Sequence, residues 1–301
     1  MNAKQLAAEF GISGAVDFAE EGGLAKAVVS LDGMQGELFL QGATVTRWQP
    51  KGERPVIFTS PNAIFAPGTA VRGGIPIIFP WFGPKRDEPK APQHGFVRAA
   101  PWQLDKVETS RPGEVTLSLS ITAEEATSPF WPEPFRAVYT VTFGPTLSVA
   151  LAVQNRAGHE IVFEEALHTY FAVSDVVKVS VSGLAGTTYI DKVDGARRKT
   201  QDATPIKLTG ETDRVYLGTP RQVAVEDPEW RRKIVIEKDG AASTIVWNPW
   251  TDKAAAMKDL GANAWPGMIC VETGNAADNE VRLAAGGEHS MSTRIAVDAI
   301  K

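Results

Sequence analysis

The chain has a single cysteine, Cys270, among its 301 residues. It can form no internal disulfide and can offer no set of thiolates to a zinc ion. That usage fits a reducing compartment, so a cytoplasmic location is expected. No apolar run reaches the roughly 18 residues needed to cross a bilayer, and MNAKQLAAEFGISG at the start lacks the apolar stretch of a secretion signal. Positive charge is in deficit: 31 Lys and Arg stand against 36 Asp and Glu, a net charge of −5. A chain of that balance is not built to coat nucleic acid or an anionic membrane. Its short basic cluster, Arg231, Arg232 and Lys233, reads as a solvated turn entering a strand. HxH, HExxH, GxSxG, Walker A and GxGxxG are all absent. Those absences remove the sequence grounds for a zinc hydrolase, a serine hydrolase of the elbow type, a P-loop enzyme or a dinucleotide enzyme.

What remains is mostly strand. MNAKQLAAEFG predicts a short helix with Leu6, Ala7 and Phe10 on one side and Gly11 as its stop. Beyond it the period changes to two. EVTLSLSIT (114 to 122) alternates through Val115, Leu117, Leu119 and Ile121, and LSVALAVQN (147 to 155) through Leu147, Val149, Leu151 and Val153. Such alternation places one face of each strand in a core. Gly, Pro, Asn and Asp clusters, rather than helical stretches, separate the strands, which argues for an antiparallel all-β sandwich or barrel and against βαβ units. No linker, fixed-period repeat or low-complexity tract divides the chain, so 1 to 301 is expected to form one domain with 1 to 20 as an N-terminal extension. Residues 61 to 101 form the longest weakly patterned region. They combine Pro and Gly with bulky apolar residues, which favours an ordered functional loop over disorder.

Candidate chemistry gathers in a few places. PQHGFVR puts Gln93, His94 and Arg98 on one loop segment broken by Gly95. Arg72 belongs to the same region, and a planar guanidinium suits phosphate or carboxylate, although an isolated surface arginine is ordinarily just solvated. Of the four histidines, His159 sits in a turn and His289 enters the last strand, and both read as exposed and structural. His168 lies in the apolar run IVFEEALHTYFAV and is either a satisfied core imidazole or a catalytic one beside Tyr170 and Phe171. Glu272 and Cys270 share one face of MICVETGN, leaving Glu272 a rim charge or a group aimed into a cleft. Asp213 reads as a turn acceptor or a site carboxylate. Such a set can carry out proton transfer on a polar small molecule without a metal or nucleotide loop.

Taken together, RGGIPIIFPWFGP, PQHGFVR, EEALHTYFAV, TDRVYLG, VWNPW and MICVETGN resemble, in order and content, the D-hexose-6-phosphate mutarotases, or glucose-6-phosphate 1-epimerases, relatives of aldose 1-epimerase. The similarity runs over roughly 20 to 300. It implies the β-supersandwich of the galactose mutarotase type. It also implies an isomerase that interconverts the anomers of a hexose 6-phosphate with no cofactor and no metal. Neither nucleic acid nor a membrane is expected as a partner, and a monomer is the default expectation. By position, His168 is the implied general acid and Glu272 the implied general base. His94 is the implied ligand near the reacting end, Asp213 holds hydroxyls, and Arg72, Gln93 and Arg98 line the substrate site with the arginines on phosphate. Two other readings keep the same sandwich: an epimerase of unphosphorylated aldoses, and a carbohydrate-binding or sensor domain without catalysis.

Overall fold

The computed structural model describes residues 1–123 and 128–300. Ala3–Phe10 forms the N-terminal helix. Asn2 caps it reciprocally: its side chain accepts from the Gln5 N–H at 3.0 Å, and the Gln5 side chain accepts from the Asn2 N–H at 2.9 Å. Leu6 is buried against the sheets and Gly11 ends the helix, as the sequence predicts. Among the described residues no helix is long and apolar enough to cross a membrane.

The rest is antiparallel sheet. Val16–Glu21, Leu24–Leu31, Met34–Phe39 and Thr44–Pro50 form a four-stranded meander. Its Trp48 is fully buried and donates its indole N–H to the Gly144 carbonyl at 3.1 Å, which ties this sheet to the next one. One eight-stranded sheet contains both predicted alternating strands, Glu114–Thr122 and Leu147–Asn155, along with Gln103–Arg111, Phe135–Phe143, Glu288–Ala299, Arg232–Asp239, Gln222–Asp227 and Ser180–Ser182. Val115, Leu117, Leu119 and Ile121 are completely buried, while the alternate positions Glu114, Thr116 and Ser118 are partly open. The second eight-stranded sheet is built around Thr212–Leu217, Ser243–Asn248 and Met268–Asn275, with Glu165–Leu167 and Tyr170–Ala172 both paired to the last of these.

The two large sheets contribute to one apolar cluster. Leu117, Val141, Leu151 and Ile236 come from the first, and Leu167, Val246, Ile269 and Val271 from the second. Burying that much apolar side chain is the main favourable term in folding, at roughly 25 cal/mol per Å². The loop region 61 to 101 is ordered, with only the two-residue strand Ile77–Ile78 and a single 3-10 turn, Val97–Ala99, in it. Ile75, Ile77, Phe79 and Val97 anchor it in the same core.

Two sequence readings need correction. The cluster at 231 to 233 is not a solvated face. Arg232 is 1% exposed and donates to the carbonyls of Arg54, Pro55 and Ala172 at 2.7 to 3.0 Å, with its guanidinium 4.7 Å from the Trp230 ring centre. The strand alternation turns Arg232 inward and Lys233 outward to Glu226. His289 lies in the last strand, as expected, but is not an exposed residue. It is half-buried on Glu288–Ala299, and its Nε2 lies 2.9 Å from the fully buried Glu165 carboxyl, which also accepts from Asn275 at 2.9 Å. His159 does remain exposed, paired with Glu133.

The hydrogen bond to Glu165 raises the His289 imidazole above its ordinary 6.5, against the opposing pull of burial. A base whose folded pKa is raised contributes stability that is complete below its unfolded pKa and is lost as pH rises through the folded one. His289→Ala is therefore expected to cost about 2 kcal/mol at pH 6, less than the loss of a fully buried pair because His289 is partly solvated. The cost should shrink at pH 9.5. Urea unfolding of both proteins at the two pH values measures it, and an equal cost at both would contradict the pairing.

Candidate active site

The floor of the site follows from strand register. Met268–Asn275 pairs on one side with two short strands, Leu167 opposite Thr273 and Tyr170 opposite Cys270. Between them His168 and Thr169 leave the ladder, with the His168 N–H turned to the Pro76 carbonyl at 3.0 Å. This break lies beside Glu272. On the other side of the strand Glu272 faces Ile245, Cys270 faces Trp247, and Trp247 faces Asp213. Because side chains alternate, Asp213, Ile245, Trp247, Cys270 and Glu272 share one face of the sheet. Val246, Ile269 and Val271 take the other face and fill the core.

His168 Nδ1 consequently sits 3.4 Å from Glu272 Oε1. The two residues are 6% and 2% exposed, and among the described residues neither His168 Nδ1 nor Glu272 Oε2 has a hydrogen-bond partner. His168 stacks on Tyr170 at 4.7 Å and meets the edge of Trp247 at 5.9 Å. Tyr170 faces the site, whereas Phe171 points into the core. Burial pushes the Glu272 carboxyl well above its usual range, and Asp213 adds to this while Lys192 and Arg98 oppose it. Burial likewise pushes the His168 imidazole well below 6.5, helped by the charges of Arg98 and Arg72. Both groups are thus driven toward their uncharged forms.

PQHGFVR forms one wall. Gly95 has φ +70°, and a Cβ there would lie 1.8 Å from the Phe79 carbonyl oxygen, so only glycine lets the loop close against the core. The preceding His94 also has positive φ, 63°. Two hydrogen bonds with Gly83 hold it: the His94 N–H donates to the Gly83 carbonyl at 2.8 Å, and the Gly83 N–H donates to His94 Nδ1 at 3.2 Å. A ring whose Nδ1 accepts carries its proton on Nε2 when neutral. Burial keeps it neutral, with Arg98 and His168 acting in the same direction. Arg98, from the Val97–Ala99 turn, donates to the Gln93 carbonyl at 2.7 Å. Burial lowers Arg98 to about 10, against the pull of Tyr170, which leaves it a cation at neutral pH.

Arg72 closes the far side. Its Nε pairs with Asp259 at 3.0 Å and its Nη1 donates to the Tyr170 hydroxyl at 3.1 Å. All seven residues singled out from the sequence, Arg72, Gln93, His94, Arg98, His168, Asp213 and Glu272, line one pocket of about 390 Å³. Glu272 belongs to its floor, not to a rim. Residues that the sequence reading missed complete it: Phe82, Lys192, Trp247, Lys253 and Met257. Phe82 lies in the quoted RGGIPIIFPWFGP and Trp247 in VWNPW, so both could have been named. Lys192 and Lys253 lie in segments with no distinguishing pattern.

The aldose 1-epimerase family model matches residues 28–296. A protein of Cenchrus ciliaris named "Putative glucose-6-phosphate 1-epimerase" is 34% identical over 272 residues, covering 88% of this chain and 81% of the relative. One of the same name from Escherichia coli K12 is 34% identical over 253 residues, 84% of each chain. The crystal structure of a "putative mutarotase (YeaD)" from Salmonella typhimurium superposes with a TM-score of 0.89 at 30% identity, covering 96% of this chain and 95% of that one. The antiparallel supersandwich expected from the sequence is the fold these proteins share, and the chain belongs to the aldose 1-epimerase family.

Proposed function

We propose that the protein interconverts the α and β anomers of D-glucose 6-phosphate, and of other aldohexose 6-phosphates, by acid–base ring opening and reclosure. One observation carries the reading: an imidazole and a carboxyl 3.4 Å apart at the buried floor of a pocket whose walls hold two arginines. The names of the relatives support the same substrate class. In this reading Glu272 is the base and His168 the acid. His94 donates from Nε2 near the reacting carbon, Asp213 accepts from ring hydroxyls, and Gln93 borders the rim. Arg98 carries charge to the phosphate, and Arg72, already braced by Asp259 and Tyr170, presents its remaining N–H groups.

Ring opening balances as follows. The Glu272 carboxylate takes the proton from the C1 hydroxyl, the C1–O5 bond breaks, and the His168 imidazolium gives its proton to O5. The open-chain aldehyde then stands beside a protonated Glu272 and a neutral His168. That is the distribution which burial favours, so the charged pair that begins the step lies above the resting neutral pair, and the proton's passage from His168 to O5 runs in the direction burial favours. Rotation about C1–C2 presents the other face of the aldehyde, and reversal of both transfers closes the ring. The pair holds one proton throughout. The chemistry calls for neither a redox cofactor nor a metal.

The reading also treats 1 to 301 as one cytoplasmic domain that works as a monomer. The main apolar cluster supports the single domain, because it runs from Leu6 to Ile295 and includes Val16 and Phe18 of the presumed extension. The free, buried Cys270 fits a reducing compartment.

Adding the protein to α-glucose 6-phosphate, with a β-specific dehydrogenase reporting the product, should accelerate anomerisation far more than it does for free α-glucose. Equal acceleration of both sugars would point to an epimerase of unphosphorylated aldoses, and saturable binding without acceleration would point to a sensor. His168→Ala and Glu272→Gln should each lower kcat by about 10² to 10⁴ with a smaller change in KM. Near wild-type turnover in either variant would remove that residue from the mechanism. Because the working pair carries one proton, kcat/KM should be bell-shaped in pH. Activity falls on the acid side as a second proton removes the base, and on the alkaline side as loss of the only proton removes the acid.

A further inference from the structure

Glu164 stands beside the buried Glu165 but takes the opposite face of the segment. Phe163, Glu165 and Leu167 turn into the interior between the sheets. Glu164 and Ala166 turn the other way, toward the side that carries the pocket. There Ala166 joins Ile78, Ile245 and Ala276 in a small apolar patch, on which Phe82 and Ala277 pack. The Glu164 carboxylate bridges those last two residues. Its Oε2 accepts from the Phe82 N–H at 2.8 Å and its Oε1 from the Ala277 N–H at 2.7 Å. Neither Phe82 nor Ala277 belongs to a strand, so no sheet ladder is at hand to satisfy these N–H groups. The Glu164 N–H in turn donates to the Pro80 carbonyl at 3.0 Å. One residue thus grips the corner at 80 to 82 with main chain and side chain together. It ties that corner to Ala277, just beyond the strand Met268–Asn275 that carries Glu272.

What depends on the corner is His94. Phe82 meets the His94 ring edge-on at 5.0 Å. The next residue, Gly83, makes both hydrogen bonds that set the His94 backbone and its tautomer. Trp81 ties the same loop to the same corner by donating its indole N–H to the Pro92 carbonyl at 2.8 Å. Loop and corner therefore move together, and Glu164 fixes them against the Glu272 strand. A small shift of Phe82 would draw the Gly83 N–H away from His94 Nδ1. The neutral ring could then take the other tautomer, in which Nε2 carries no proton and cannot donate.

We infer that Glu164 is a positioning residue for the epimerisation, holding His94 with Nε2–H aimed at the reacting carbon. It acts from behind Phe82, outside the pocket lining. The inference rests on the reading above, in which His94 donates at that position.

Glutamine at this position keeps the shape but has one carbonyl oxygen, so one of the two N–H groups faces an amide N–H instead of an acceptor. Glu164→Gln should lower kcat on glucose 6-phosphate about tenfold and change KM less than about threefold, as a small misplacement beside a reacting centre does. Glu164→Asp keeps the charge but is one methylene short of spanning both groups. It should lose as much, and it carries the test if the glutamine variant does not fold. In a His94→Ala background either change should cost at most about twofold more, because the residue being positioned is gone. The same loss in both backgrounds would make Glu164 a structural staple only and overturn the inference, as would wild-type kcat in the variants. Nitrogen NMR of the His94 ring keeps the two proposals separable. If the wild-type protein accelerates neither sugar, the epimerase reading falls and Glu164 is judged on the ring alone. The wild-type ring should show the single Nε2–H tautomer and the Glu164 variants a mixture. One unchanged tautomer throughout would overturn the positioning role.

Discussion

Taking a carboxyl and an imidazole out of water together is the constraint around which this molecule is arranged. Glu272, on its strand, and His168, in the break between the two short strands paired to it, lie 3.4 Å apart, almost without solvent contact. Desolvation acts on both in the same sense, against charge, and the surrounding cations and Asp213 adjust the balance. A pair in that condition is well suited to passing a single proton equivalent through a substrate. The charged and uncharged distributions share the same total charge, so moving between them changes a dipole rather than a net ion. Around the pair, Tyr170 and Trp247 provide apolar walls, and the flanking strands are fixed by the buried Glu165, Asn275 and His289 contacts.

The charges of the pocket are ordered by depth and by commitment. Near the floor, carboxyl and imidazole are neutralised by burial. Beside it, Arg72 is satisfied by Asp259 and Tyr170. Arg98, which gives one N–H to the Gln93 carbonyl, and Lys192, which is exposed, form no ion pair with a carboxylate among the described residues. A ligand that is neutral at one end and dianionic at the other matches that gradient. A sugar without the phosphate would leave those cations without an anion to meet.

Much of this was legible in the sequence where local pattern and three-dimensional role coincide. The alternation of Val115, Leu117, Leu119 and Ile121 predicted a buried face, and the same period of two placed Cys270 and Glu272 together on one side of their strand. His94, Gln93 and Arg98 were visible because Gly95 and two prolines break the segment that carries them. Other features were hidden because they depend on pairing between distant parts of the chain. Nothing local marks Lys192, which lines the pocket because the turn after its strand brings it beside Phe82. Arg232 looked like surface charge, yet carbonyls more than a hundred positions away, those of Arg54 and Pro55, draw it into the interior. His289 read as exposed at the start of the last strand because its partner, Glu165, arrives from another sheet.

The direct test of the buried one-proton pair is a nitrogen NMR titration of His168 in the ligand-free protein. If burial sets the balance as described, the His168 ring keeps the shifts of a neutral imidazole at pH 6.5 and begins to charge only at lower pH. An imidazolium spectrum at neutral pH would contradict it. The pair would then rest as separated charges, and desolvation would not be what drives the proton from acid to sugar.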